Sequence, residues 1–189
     1  MMIYIYITLL SIIKVCACQS TTEAEFVINF DSQIEPCSDE SSSFVNTSKV
    51  KVGRYNETHS YMYGEIEFFK QVGSDTMMEI IIEKEAAGKS EVLFSHEICD
   101  LCAEIGKAND SDYYDYLKYF GVPDACPIEP GEYPIKDFIL NTEDVPINSN
   151  TCGRYLLFLN LYKNPEKDCK TSKEFLCCLT ISLLIERAD

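Results

Sequence analysis

The chain has 189 residues, with 31 acidic against 16 basic side chains, a net charge of −15, ten cysteines and only two histidines. This balance excludes nucleic-acid binding and purely electrostatic docking to anionic membranes. It leaves a solvated acidic surface, a chain suited to an acidic compartment, or one that meets a basic partner.

Residues 1–18 open on an apolar run from Met1 to Ile13, followed by small residues spaced as at a signal-peptidase site. The expectation is a secretory signal over 1–18, cut after Ala17 or Cys18. The competing reading is a single membrane anchor, which the run only just spans and which Lys14 interrupts. Residues 19–189 then form one domain with room for a real core. They keep Cys37, Cys99, Cys102, Cys126, Cys152, Cys169, Cys177 and Cys178, an even set that reads as four disulfides in an oxidising compartment. Sequence alone leaves the pairing open. Asn46, Asn56 and Asn109 each begin an N-glycosylation acceptor pattern in a polar setting, which agrees with secretion.

Phe26, Ile28 and Phe30 alternate with polar or smaller residues and predict a first strand. Val50 and Val52 alternate with Lys49 and Lys51, and Met62, Gly64, Ile66 and Phe68 alternate with Tyr63, Glu65 and Glu67, giving two more. Met77 to Glu85 predicts another strand, turning at residues 86–89 into Glu91 to Phe94. The period then changes. Ser95 can cap a helix carrying Ile98, Leu101, Cys102 and Ile105 and ending at Gly106, and Tyr113, Tyr116, Leu117 and Phe120 repeat the helical spacing. Pro123, Pro127, Pro130 and Pro134 exclude both helix and central strand from the next stretch. Strands resume at Ile135 to Leu140, Tyr155 to Tyr162 and Leu179 to Glu186. About eight antiparallel strands with one helical insertion predict a mainly β protein, a sandwich or cup with a helical flap.

The catalytic inventory is thin. His59 and His96 read as surface residues, and no nucleophile elbow, zinc-protease motif or P-loop is present. Cys99 and Cys102 have C-x-x-C spacing, but without a βαβ context or a second ligand pair they read as structural cysteines. No carboxylate pair stands out as a general acid and base, so neither a catalytic residue, a metal site nor a cofactor is expected. The predicted inward faces are rich in large apolar groups instead: Phe26, Phe30, Met62, Ile66, Phe68, Met78, Ile80, Ile82, Tyr155, Leu157, Leu159 and Ile181. A filled sandwich core and a hollow cup for an acyl chain use the same residue types, so the pattern admits both.

Five stretches carry a resemblance: EKEAAG (Glu83 to Gly88), ICDLC (Ile98 to Cys102), YFGVPDACPIEPGEYPIKDFIL (Tyr119 to Leu140), GRYLLFLNLY (Gly153 to Tyr162) and CCLTISLLI (Cys177 to Ile185). Together they resemble the lysosomal ganglioside activator proteins of the ML lipid-recognition superfamily. The most specific element is C-P-x-x-x-G-x-Y at Cys126 to Tyr133, and the sequence departs from the family at Asp124, where a further cysteine is usual. The resemblance implies a β-cup with an apolar cavity and no enzyme activity of its own. It implies a secreted or lysosomal protein that lifts a lipid or glycolipid from a membrane by transient contact. It also implies presentation of that lipid to a soluble glycosidase. The lipid cavity would be lined by Phe26, Phe30, Met62, Ile66, Phe68, Ile80, Ile82, Tyr155, Leu157, Leu159 and Ile181. The family's pairings imply Cys37–Cys178 and Cys99–Cys126, and Cys102–Cys152 with Cys169–Cys177 would complete the set. The alternative function is an extracellular protein-binding or immune-recognition module without lipid cargo.

Overall fold

The structure is a computed structural model and describes residues 26–86, 88–140 and 147–188. The expected signal over 1–18 lies outside the described residues. Among the described residues ten strands fall into two antiparallel sheets. The larger is ordered β1 (Phe26–Phe30), β10 (Glu174–Arg187), β9 (Gly153–Lys163), β6 (Thr76–Ala86), β7 (Lys89–Ile98), with β2 (Glu35–Pro36) continuing beyond β1 along the edge of β10. The smaller is built on β5 (Ser60–Phe68). β8 (Gly131–Phe138) pairs with one side of it, while β3 (Val45–Asn46) and β4 (Lys51–Arg54) share the other.

The eight expected strands are present, and the two additional ones, β2 and β3, have two residues each. So short a strand carries no periodicity to read. Helix α1 (Asp39–Ser42) was also not expected; Ser38 caps it by accepting a hydrogen bond from the Ser41 N–H at 3.2 Å.

The helical insertion begins later than its apolar spacing predicts. Ser95, His96 and Ile98 belong to β7, with Ile98 opposite Met78 and His96 opposite Ile80. Helix α2 (Leu101–Ile105) is capped by Asp100, whose side chain accepts from the Ala103 N–H at 3.0 Å, and ends at Gly106. Partial burial pushes the Asp100 carboxyl up, but the Ala103 N–H and the Lys167 ammonium at 2.9 Å outweigh it and hold it below the usual carboxylate range. A 3-10 turn (Ala108–Asp110) and α3 (Tyr114–Leu117) complete the insertion.

Three disulfides form among the described residues, and only one follows the expected pairing. Cys37–Cys178 is present. Cys99 pairs with Cys169, not Cys126, and Cys102 pairs with Cys126, not Cys152. Cys99 precedes the helix and Cys102 lies within it, so the two point to different partners, one in the β9–β10 loop and one in the proline-rich corner. Cys152 and Cys177 are free thiols. They sit towards opposite ends of the β9–β10 pair, where Gly153 faces Ile185 and Leu161 faces Cys177. Successive strand side chains point to opposite faces, so Cys177 enters the core while Cys178 meets Cys37. With Cys169 bonded to Cys99 and Cys177 buried as a free thiol, the expected Cys169–Cys177 bond is not formed.

Both sheets contribute to one core. Met62, Ile66 and Phe68 of β5 and Ile135 and Phe138 of β8 pack against Phe30, Leu161, Cys177, Leu179 and Ile181. Phe138 holds the insertion in place through ring contacts to Phe30, Tyr116, Tyr119 and Phe120. The corner closes on β8, with the Gly121 N–H donating to the Pro134 carbonyl at 2.7 Å and the Lys136 N–H to the Tyr119 carbonyl at 2.8 Å. Gly64, at φ +118°, lies against the Lys49 carbonyl, where a Cβ would overlap that oxygen.

Candidate functional site

The core does not extend evenly beneath the larger sheet. Directly opposite residues share a face, so the β6–β9–β10 register places Ile80, Leu159 and Leu179 in one inward row and Ile82, Leu157 and Ile181 in the next. In both rows the β10 residue is buried, while the β9 and β6 residues are only half-buried. On β7 the same rows continue into His96 and Phe94, both exposed. An apolar wall therefore emerges from the closed core and runs out toward the β7 edge.

The expected cavity residues divide accordingly. Phe30, Met62, Ile66, Phe68 and Ile181 lie inside the packed core, with Met62 fully buried. Phe26, half-buried, sits opposite Arg187 at the start of β1 and is not in the wall. Ile80, Ile82, Leu157 and Leu159 are brought together as the wall itself. Tyr155 is buried at its end, where its hydroxyl donates to the Thr151 carbonyl at 2.6 Å.

The wall ends in polar groups. Lys84 lies opposite Tyr155, with its ammonium 5.4 Å from the ring centroid and donating to the Asn150 carbonyl at 3.0 Å. His96 stacks near Phe94 and approaches Tyr113 of the helical insertion, with ring centroids 6.2 and 6.0 Å apart. Burial pushes the Tyr113 phenol up, and the nearby Glu104 and Asp112 carboxylates push it further. An apolar strip bordered by an ammonium, an imidazole and a phenol suits an amphipathic ligand, with the tail on the strip and the head group at the border.

The chain matches no protein-family model and no curated protein.

Sequence reasoning missed Phe94, Lys84 and His96. Phe94, His96 and Ile98 recur at period two, which would have placed His96 on a strand had the helical spacing of Ile98, Leu101 and Ile105 not been read first. His59 lies in a local turn, with Nδ1 within 2.8 Å of the Thr58 hydroxyl. Of the acceptor asparagines, Asn56 and Asn109 are exposed, while Asn46 is half-buried and donates to Glu67 at 3.1 Å. Among the described residues no cluster of three or more metal-ligating side chains occurs. No helix among them is long and apolar enough to cross a membrane.

Two concavities lie away from the wall. One, of about 240 Å³, is lined by Ile105, Ala108, Leu117, Phe120 and Val122 in and beside the insertion. The other, about 330 Å³, is formed by Lys163, Pro165, Ser172, Lys173 and Glu174. The first falls below the roughly 300–1,000 Å³ of ordinary ligand pockets, and the second is lined largely by polar groups.

Proposed function

We propose that the chain is a secreted or lysosomal lipid-binding and transfer protein. It holds the tail of a lipid or glycolipid against the wall of Ile80, Ile82, Leu157 and Leu159, with the head group near Lys84 and His96. One observation carries this reading: four large apolar side chains on an inward-facing sheet surface remain half-buried beside the buried Leu179 and Ile181 of the same two rows. Leaving such a surface wet costs about 25 cal/mol per Å², which an acyl chain laid along it would recover. Phe94, 49% exposed at the rim, offers transient membrane contact during loading. Presentation of the lipid to a soluble glycosidase follows the resemblance to the ganglioside activators and makes the protein a cofactor of that enzyme.

Three disulfides agree with passage through an oxidising compartment. The deciding experiment is native mass spectrometry of the secreted protein with extraction of bound lipid, followed by loading with fluorescent fatty-acid and ganglioside probes. Co-purified lipid or saturable probe binding supports the proposal. Failure with every lipid class sinks it, and leaves the chain as an extracellular protein-binding module without lipid cargo.

A further inference from the structure

We propose that β7 is a self-pairing edge through which two copies of this chain join, antiparallel, into one continuous sheet. β7 ends the larger sheet, and every residue from Lys89 to Glu97 is exposed. The opposite edge is closed: in β1 the Phe30 N–H donates to the Ser60 hydroxyl at 2.7 Å, and the Asn29 side-chain Nδ2 donates to the Thr58 carbonyl at 2.8 Å. Nothing comparable covers β7, whose backbone meets no described residue on its outer side. Val92, Leu93 and Phe94 are 56%, 54% and 49% exposed. Three consecutive large apolar residues on an unpaired edge form a template for another strand.

The β-bulge in this strand restricts how a second copy can seat. Phe94 lies opposite Ile82 and Val92 opposite Glu83, so Leu93 is the extra residue. Before it, Val92 and Ser90 face outward and Glu91 and Lys89 inward; after it, Phe94 and His96 face inward and Ser95 and Glu97 outward. Opposed residues across a sheet must share a face. Registers centred on Glu91 or on His96 set like groups against each other, and two registers that pair the segment before the bulge with the segment after it also satisfy this condition. One sets Lys89 opposite His96 of the second copy and Glu91 opposite its Phe94, burying a carboxylate against a ring. The other sets Glu91 opposite His96, Ser90 opposite Glu97 and Leu93 opposite Phe94, each contact occurring twice about the dyad. Charge selects the second: carboxylate meets imidazole, and hydroxyl meets carboxylate. Glu97 uses Oε1 on Lys173, at 2.7 Å, and its other oxygen meets no hydrogen-bond partner among the described residues. In this arrangement the inward walls of the two copies meet edge to edge at Phe94, so a second copy and a bilayer compete for that side chain.

Sedimentation velocity over a concentration series, on the secreted protein with its disulfides intact, tests the proposal. A monomer–dimer equilibrium is expected, weakened at least about tenfold by Val92→Lys or by Glu91→Lys. The double exchange Glu91→Lys with His96→Glu restores it. Circular dichroism and disulfide mapping check that each variant is folded. A second, variant-free reading is hydrogen exchange: amides of β7 should become protected as concentration rises. A protein that stays monomeric throughout overturns the proposal. So does a dimer indifferent to Val92 and Glu91, or a monomer that binds phosphatidylcholine vesicles in a Val92-dependent way, which assigns the edge to a bilayer.

Discussion

Cys102 and Cys126 stand with their Cα atoms 5.4 Å apart, and their disulfide fastens α2 to the proline-rich corner across a sequence separation of 24 residues. Cys37 and Cys178 are the same distance apart in space but 141 residues apart in sequence. In the chain-entropy account, the longer loop restrains the unfolded state more, by about 1.5 kcal/mol between these two cases. Replacing both Cys37 and Cys178 with Ala should therefore lower the unfolding free energy more than replacing Cys102 and Cys126. Urea unfolding of the two double variants measures the difference. Equal losses would show that local packing, not loop length, sets the cost.

Gly64→Ala should destabilise the protein by about 1–3 kcal/mol, because position 64 needs a positive φ that L-residues rarely adopt and a Cβ there meets the Lys49 carbonyl. Gly88, also at positive φ but with open space around it, should tolerate Ala at a smaller cost. Comparing the two urea midpoints separates steric overlap from backbone strain.

The Cys177 thiol lies wholly inside the core, and burial pushes it from the ordinary 9.0 up to about 12. The unfolded chain therefore loses this proton first, and the associated stability is fully present below pH 9. It declines as pH rises from 9 toward 12, by up to ~1.4 kcal/mol per pH unit. Cys177→Ala removes this contribution, so the wild-type stability should fall more steeply than the variant's above pH 9. In the native protein at neutral pH, alkylation followed by mass spectrometry should label half-buried Cys152 and spare Cys177.

Ile82→Glu and Leu157→Glu should each leave a folded protein with lipid-probe uptake reduced at least about tenfold, since a carboxylate on the wall is poorly solvated once a tail covers it. Phe68→Glu should instead unfold the chain, because Phe68 is 9% exposed and packs on Phe44 and Tyr133. Uptake and near-ultraviolet circular dichroism together distinguish the two outcomes. Normal uptake by a folded Ile82→Glu protein would remove the wall from the mechanism.

The long strands were legible because each has one buried and one wetter face, which writes a period of two directly into residues such as Met62, Ile66 and Phe68. β2, β3 and α1 were not, since two to four residues carry no period. The boundary at Ser95 was misplaced because Ile98 packs at the end of β7 while Leu101 and Ile105 pack from α2, and their spacing imitates one continuous helical stripe. The inward set was legible as apolar, yet its division into sealed core and half-open wall depends on where the smaller sheet stops. That is a long-range property that neither Ile80 nor Leu159 reveals through its sequence neighbours. The same limit explains the cysteines: C-x-x-C spacing fixes how close Cys99 and Cys102 are to each other, not where each of them points.

The adjacent pair Cys177 and Cys178 makes oxidation a check on alignment. β2 meets β10 with Pro36 opposite Leu179, which brings Cys37 beside Cys178. Were Cys37 to capture Cys177 instead, β10 would have to slide one position against β2. Thr180 and Ser182 would then turn into the core, and Leu179 and Ile181 would be driven out to water. The wrong crosslink is thus opposed by the buried Leu179, Ile181 and Ile185 along the strand, and the correct one, once made, holds the whole alternation in phase.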